Sequence, residues 1–381
     1  MAERGDNCLI IVAGNPTTVT NSAIAGIIDE AGRGMNIADV YGAVAGVGGL
    51  LDGKIVDLGS QKRKIIEGLR RTPGSVLSGR HRILNADDAG AIVNVLKSHN
   101  IGYLFLLGGL PAVGILRFII DAAKAASYPL LALGIPLSAE NDVAAGDHNP
   151  GYGSAARFAA SAVRDAARAA SAAEQPLLVL ELQGAQTGWL AAATTFAHDA
   201  QNPAPHAVLV PEKPVNTEAL VEELQRAYHK YGYVVAVTSE GAKDTHGNAL
   251  NGTALTALLS ERLSLPGRLD SPGSLASVAQ SFVARADAED AYNLGGLAVR
   301  LAGDEATDYV LLVQRDPHSV ERGERGYKLI EGTANIDAVS NEARPLPANY
   351  INDQGTNINE AFTDWLRPLV GGALPEYTSL A

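Results

Sequence analysis

Residues 101–142 read IGYLFLLGGLPAVGILRFIIDAAKAASYPLLALGIPLSAEND. The stretch opens on a short apolar run, Ile101–Leu107, closed by Gly108 and Gly109. Pro111 suits the first turn of a helix, where a backbone N–H is dispensable, and the apolar pattern carries that helix to about Ala126. A second apolar run, Pro129–Ile135, gives way to the polar segment Ser138-Ala139-Glu140-Asn141-Asp142. Strand, helix and strand in that order are the unit from which α/β proteins with parallel sheets are built.

The same alternation extends both ways. Cys8–Ala13 reads as a strand and Asn21–Ala31 as the helix after it. A long Ala/Arg helix is expected over about Ser154–Ala173, with Phe158, Ala162, Val163 and Ala166 on one face and Arg157, Arg164 and Arg168 offset from it. Pro176–Leu182, His206–Val210 and Tyr233–Thr238 read as strands, with helices over Trp189–Ala197 and Asn216–Tyr231. Tyr309–Gln314 reads as a late strand and Glu360–Leu366 as a closing helix. A lobe boundary is expected near Asn149-Pro150-Gly151. Trp189 and Trp365 are expected to anchor cores.

At 381 residues, 46% of them hydrophobic, the chain has ample material for two or three domains. Its 40 glycines and 5% aromatic content predict tight turns and helices packed closely on small side chains. A single cysteine, Cys8, excludes an intrachain disulfide and points to a reducing compartment. The opening residues do not resemble a signal peptide, no apolar run is long enough to cross a membrane, and a cytoplasmic location is expected. With 30 basic against 42 acidic residues, the formal net charge of -12 argues against binding nucleic acid or an anionic membrane.

In open parallel sheets, ligands bind beyond the carboxyl ends of the strands. Five such ends carry suitable residues: Gly14-Asn15-Pro16-Thr17-Thr18, Gly108–Pro111, Ser138–Asp142, Gln183–Gly188 and Ser239–Asp244. Glycines there let backbone N–H groups approach an anion at a helix N-terminus, but none matches a Walker or dinucleotide pattern. Glu140 and Asp142 have two readings: a general base with a magnesium ligand, or an acidic, helix-capping turn. Lys62, Arg63, Lys64, Arg70, Arg71, Arg80 and Arg82 form a basic run opposed only by Glu67, either a phosphate-attracting patch or a solvated helix face. His148, His198, His206 and His246 have no metal-ligand spacing and read as loop or packing residues. Cys8 lies inside an apolar strand, which argues against a nucleophile.

Taken together, the strand ends resemble the phosphofructokinase family, specifically its long, pyrophosphate-dependent branch. Gly14-Asn15-Pro16-Thr17-Thr18-Val19-Thr20-Asn21 is similar to that branch's Gly-Gly-Pro-Thr-x-Val-x-Asn turn, and Thr72-Pro73-Gly74 leading to Arg80 to its Thr-Pro-Gly…Arg loop. Pro136–Asp142 resembles the Pro-Lys-Thr-x-Asp-Asn-Asp signature, and Gly151-Tyr152-Gly153-Ser154-Ala155-Ala156 the segment that follows it. Gln183-Gly184-Ala185-Gln186-Thr187-Gly188-Trp189-Leu190 shares the frame of Met-Gly-Arg-x-x-Gly-Trp-Leu. Ser239-Glu240-Gly241, Pro266-Gly267-Arg268-Leu269 and Pro368-Leu369-Val370-Gly371 follow in the expected order.

The resemblance implies a phosphofructokinase-like α/β fold of two intimately packed Rossmann-like lobes with mostly parallel sheets and an active site between them. Residues 1–150 would form the donor-phosphate lobe, and 151–381 the sugar-phosphate lobe, with a C-terminal segment returning to the first. Implied too are Mg2+, pyrophosphate or ATP as donor, a phosphorylated sugar as acceptor, and a homodimer or homotetramer. In family terms Glu140 is the base and Arg80 bridges the phosphates, with Asp142 on the metal. Gly14, Asn15, Thr17, Gly108 and Gly109 would hold the donor phosphates. Ser138, Asn141, Gln183, Gly184, Glu240 and Arg268 would hold substrate.

Several positions depart from the family pattern. Leu110 stands for an aspartate, Leu137 for a lysine, Ala185 and Ser271 for arginines, Gln183 for the methionine, Pro176 for a neighbouring-subunit arginine and Asn15 for a glycine. Losing one positioned charge costs about 10²–10³ in rate, so ordinary fructose 6-phosphate kinase activity is expected to be weak or lost. Two readings follow: a diverged phosphotransferase, or a catalytically inactive sugar-phosphate-binding or regulatory subunit paired with an active paralogue.

Overall fold

A computed structural model describes residues 6–33, 37–77, 82–144, 146–172, 174–199, 201–316, 329–339 and 341–378. The chain divides into two compact units, Met1–Tyr152 with Arg285–Ala343, and Gly153–Ala284 with Arg344–Ala381. The stretch that rejoins unit 1 is thus Arg285–Ala343, and the last residues belong to unit 2.

Unit 1 is built on a seven-stranded sheet. Its strands are β1 (Asp6–Ala13), β2 (Ile37–Ala43), β3 (Ile55–Asp57), β4 (Ile101–Gly108), β5 (Leu131–Pro136), β10 (Tyr309–Arg315) and β11 (Leu329–Asn335), in the order β11-β10-β5-β4-β1-β2-β3. The central pairs are parallel, and the outer pairs β10–β11 and β2–β3 are antiparallel. Near-continuous burial of β1, β4 and β5 fits parallel strands covered on both faces.

The helices of unit 1 are α1 (Thr20–Ala31), α2 (Gly46–Leu51), α3 (Arg63–Leu69), α4 (Ala86–Ser98), α5 (Leu110–Ala125) and α11 (Arg285–Gly303). Asn85 starts α4 with a capping box to Asp88. α1 and α11 meet backbone to backbone: a Cβ at Gly26 would stand 2.1 Å from the Tyr292 carbonyl oxygen, and one at Gly295 2.2 Å from that of Ala23. The glycine-rich composition is used here as expected, for close helix contact.

Unit 2 holds a four-stranded parallel sheet in the order β7-β8-β6-β9. Its strands are β6 (Leu177–Leu182), β7 (Ala207–Leu209), β8 (Val234–Ser239) and β9 (Gly267–Asp270). Its helices are α6 (Tyr152–Ser171, whose first residue lies in unit 1), α7 (Trp189–Ala193), α8 (Thr217–Tyr231), α9 (Gly252–Leu263), α10 (Leu275–Val278) and α12 (Glu360–Leu366). The helix expected over Trp189–Ala197 is α for one turn and tightens to a 3-10 turn over Thr194–Ala197. Thr194 and Thr195 bond back to the carbonyls of Ala191 and Ala192, competing with the α ladder there. Trp189 is buried against Phe362 and Trp365, the anchoring role expected of both tryptophans. Among the described residues, no helix is long and apolar enough to cross a membrane.

Candidate active site

In unit 1, β5, β4 and β1 are neighbours, so the segments after their carboxyl ends converge. Gly108 ends β4 at φ +147°, where a Cβ would stand 2.0 Å from the Ala13 carbonyl oxygen. Its own carbonyl accepts the Leu137 N–H at 3.0 Å. Gly14 lies against Pro111, and a Cβ at Gly151 would strike the Thr17 side chain at 2.6 Å. Gly14, Thr17, Gly108, Gly109 and the segment opened by Ser138 therefore form one cluster. Asn15 is exposed at its tip.

Within it, Ser138 Oγ accepts the Glu140 N–H at 3.1 Å, and the Ser138 N–H donates to the Pro150 carbonyl at 3.0 Å. Asn141 is fully buried in the left-handed region at φ +54°, which asparagine tolerates better than most residues. Its Oδ1 accepts the Asn149 N–H at 2.8 Å, while its Nδ2 is buried without a hydrogen-bond partner. Asp142 Oδ2 accepts the N–H of Leu110, the first residue of α5, at 3.1 Å. Asp142 Oδ1 is buried and accepts no hydrogen bond from the described residues.

That carboxylate is the natural occupant of the helix N-terminus, where the dipole favours negative charge. One oxygen of Asp142 caps α5, as the helix-capping reading expects, and the other is left without a hydrogen bond among the described residues. No group of three or more His, Cys, Asp or Glu among the described residues can hold a metal. A magnesium ion here fits its usual habit of one or two carboxylates, with water and substrate phosphates completing the shell.

Thr17 shapes the first loop. Its N–H donates to Thr20 Oγ1 at 2.9 Å, its Oγ1 accepts the Val19 N–H at 3.2 Å, and its carbonyl accepts the Gly74 N–H at 3.2 Å. Asn21 ties the same loop down, with Nδ2 on the Thr72 carbonyl at 2.9 Å and Oδ1 on the Val76 N–H at 3.0 Å. Arg80 lies outside the described residues. The rest of the basic run is partly used in surface contacts: Arg63 with Asp29 and Glu67, Arg70 over the Tyr292 ring, and Arg82 with Asp88.

In unit 2, the ends of β6 and β8 come together. Gly184, at φ +142°, donates its N–H to Glu240 Oε2 at 3.4 Å and accepts from Gly241 at 3.3 Å. Gln183 Oε1 accepts from Ser277 Oγ at 3.2 Å. Arg268 is placed apart from them. It pairs in register with Leu178, near the amino-terminal end of β6, whereas Gln183 follows the carboxyl end. Its guanidinium holds Asp270 at 2.9 Å.

A family model described as phosphofructokinase matches residues 7–286. The chain belongs to the phosphofructokinase family. It is 28% identical to the pyrophosphate–fructose 6-phosphate 1-phosphotransferase of Methylococcus capsulatus, over 98% of this chain and 96% of that one. It is equally 28% identical to the sulfofructose kinase of Alkalicoccus urumqiensis, over 94% of each chain. Its structure superposes on the pyrophosphate-dependent phosphofructokinase of Nitrosospira multiformis with a TM-score of 0.89 at 26% identity, covering 98% of this chain and 94% of the other.

In this phosphofructokinase fold the departures have definite surroundings. Leu137 is 1% exposed, so an alkyl chain is buried where the resemblance expects a lysine. Leu110 is half-buried with its N–H on Asp142, while Ala185 and Ser271 are exposed.

Three residues of note escaped the sequence reading. Asn149, fully buried, braces Asn141 and Val143. Glu212, just after β7, accepts the N–H groups of Gly188 at 2.9 Å and Leu346 at 2.8 Å, and burial holds its carboxyl above the ordinary range. Asp290 on α11 is pushed up to about 8, by burial first and then by Asp287, Glu289 and Glu331. Glu212 follows a short apolar run and so was detectable as another strand-end carboxylate. Asn149 and Asp290 carry no comparable local signal.

His206 is a packing residue, as expected, and it predicts a pH dependence. Burial and then the charge of His198 lower it to about 4, and its Nδ1 accepts the Val235 N–H at 3.0 Å, which requires an unprotonated nitrogen. The unfolded chain takes up this proton near pH 6.5 and the folded one only near 4. Stability is therefore complete above about pH 6.5 and falls by up to about 3 kcal/mol as pH drops to 4. Denaturant titrations at pH 7 and pH 4.5 should show this loss, reduced in His206→Asn, whose Oδ1 can replace Nδ1 as acceptor.

Proposed function

We propose that the chain is a magnesium-dependent phosphotransferase that moves a phosphoryl group from pyrophosphate, or from ATP, to the 1-hydroxyl of a fructose bearing an anionic substituent. The observation that carries this reading is the pairing at the end of β5. Glu140 and Asp142 follow β5 two residues apart, and Asp142 caps α5 through one oxygen and keeps its other, buried oxygen uncommitted among the described residues. Relatives' names supply the acceptor class: fructose 6-phosphate in one and sulfofructose in the other.

Phosphoryl transfer needs positioning and charge stabilisation more than covalent chemistry from the protein. In this reading Glu140 takes the proton from the attacking hydroxyl as its oxygen bonds to phosphorus and the leaving phosphate departs with the electron pair of the broken P–O bond. Gly14, Asn15, Thr17, Gly108 and Gly109 line the donor side, with Arg80 on the phosphates. Ser138, Gln183, Gly184 and Glu240 serve the sugar, with Arg268 assigned by resemblance alone. Asp142 would hold magnesium, which neutralises charge on the donor phosphates.

The buried Leu137 favours a second reading, a family member that binds such ligands without turnover, because it removes a cation from the expected site. Phosphorus NMR separates the two. Purified protein with magnesium is mixed with fructose 6-phosphate, or with sulfofructose, and pyrophosphate or ATP in parallel tubes. Growth of a new phosphomonoester resonance is expected; unchanged spectra with broadening of one ligand's line would replace the first reading by the second.

A further inference from the structure

We propose that Asn149 is a positioning residue for the Glu140–Asp142 pair, holding Val143 with its side chain and Asn141 with its backbone N–H, an inference that rests on the catalytic reading of that pair. Two fully buried asparagines face each other across the loop after β5. Asn149 donates its backbone N–H to Asn141 Oδ1 at 2.8 Å. Its own Oδ1 accepts the Val143 N–H at 2.9 Å, and its Nδ2 donates to the Val143 carbonyl at 3.3 Å. The Asn149 N–H thus holds the Asn141 side chain before Asp142, and the Asn149 side chain holds the Val143 backbone after it.

The grip sets direction as well as place. Asn141 is left-handed, so the chain turns sharply between Glu140 and Asp142. Such a turn persists where its surroundings fix it, here through the Asn149 N–H on Asn141 Oδ1. Asn141 is fully buried with its Oδ1 engaged by the Asn149 N–H, so it shapes the turn. The far end of the segment is fixed independently, by Ser138 on Pro150 and by Gly151 on Asp287 Oδ1 at 2.7 Å. Loosening the clasp should therefore displace the two carboxylates and little else.

Leu110 provides a local gauge of this placement. As the first residue of α5, its N–H has no partner within the helix and is held by Asp142 Oδ2 alone among the described groups. The test uses the full-length protein with Asn149→Ala, which removes the hold on Val143, and Asn141→Gly, which accepts the left-handed turn but removes the acceptor for the Asn149 N–H.

In Asn149→Ala and Asn141→Gly, hydrogen exchange at the Leu110 amide should rise by about 10-fold, and kcat should fall about 10²-fold with each KM within about threefold, the cost of a small misplacement. Unchanged Leu110 exchange in either variant overturns the proposal, as does a loss that appears in KM with kcat unchanged. If Asn149→Ala fails to fold, Asn141→Gly decides. A wild-type chain without turnover sinks the catalytic reading by itself, and the clasp is then judged on Leu110 exchange.

Discussion

Glu140→Gln is expected to lower kcat by about 10²–10⁴-fold, the usual contribution of a positioned general base. The glutamine is nearly the same size and cannot accept the hydroxyl proton. The surroundings argue that the fold survives the change. The Glu140 side chain is half-buried, and the bond from its N–H to Ser138 Oγ at 3.1 Å is made by the backbone and persists. KM for the donor should stay within a few-fold, because the glycines proposed to hold the donor phosphates are untouched. Steady-state kinetics on the donor–acceptor pair found by phosphorus NMR makes the comparison. A variant retaining a tenth or more of wild-type kcat would remove Glu140 from the role of base.

Why the sequence exposes this pair so plainly, and other parts of the fold so poorly, has physical reasons. β4, α5 and β5 were legible because each is a local solution: short apolar runs bounded by Gly108 and by Ser138, with Pro111 marking a helix start. α11 was not. Its Gly295–Gly296 pair argues against a helix on propensity, yet Gly295 is where the helix must approach α1 to within backbone contact. Tertiary packing overrides the local signal there. β9 is four residues long and carries Arg268 and Asp270, so only its pairing with β6 makes it a strand.

The candidate site shows the same division. Gly14, Gly108, Glu140, Asp142, Gly184 and Glu240 sit at strand ends, where α/β topology places ligand-facing residues irrespective of detail. Arg268 enters by resemblance of the Pro266–Leu269 segment, which says nothing about position along the sheet; its register is with Leu178, near the amino-terminal end of β6. Asn149 could not be found from its neighbours, since its partners Asn141 and Val143 become partners only when the loop closes. Residue type identifies groups that can do chemistry, whereas the groups that aim them are defined by contacts.

Asp142→Asn should be the second severe lesion, and its signature should differ from that of Glu140→Gln. The aspartate serves two places at once, the Leu110 N–H through Oδ2 and an uncommitted buried position through Oδ1. An asparagine can satisfy the first by turning its Oδ1 toward Leu110, at a cost of about 0.3–1 kcal/mol for the lost charge at the helix terminus. Doing so points its NH2 group to where the second oxygen stood, a donor in place of an acceptor, and that repels a cation. Stability should thus barely change, while kcat/KM for the donor falls by about 10²–10³-fold and the magnesium concentration for half-maximal rate rises. Raising magnesium should recover part of the loss in Asp142→Asn and none of it in Glu140→Gln. An Asp142→Asn enzyme with unaltered magnesium dependence would leave the carboxylate only its structural task, capping α5, and would place the metal on other groups.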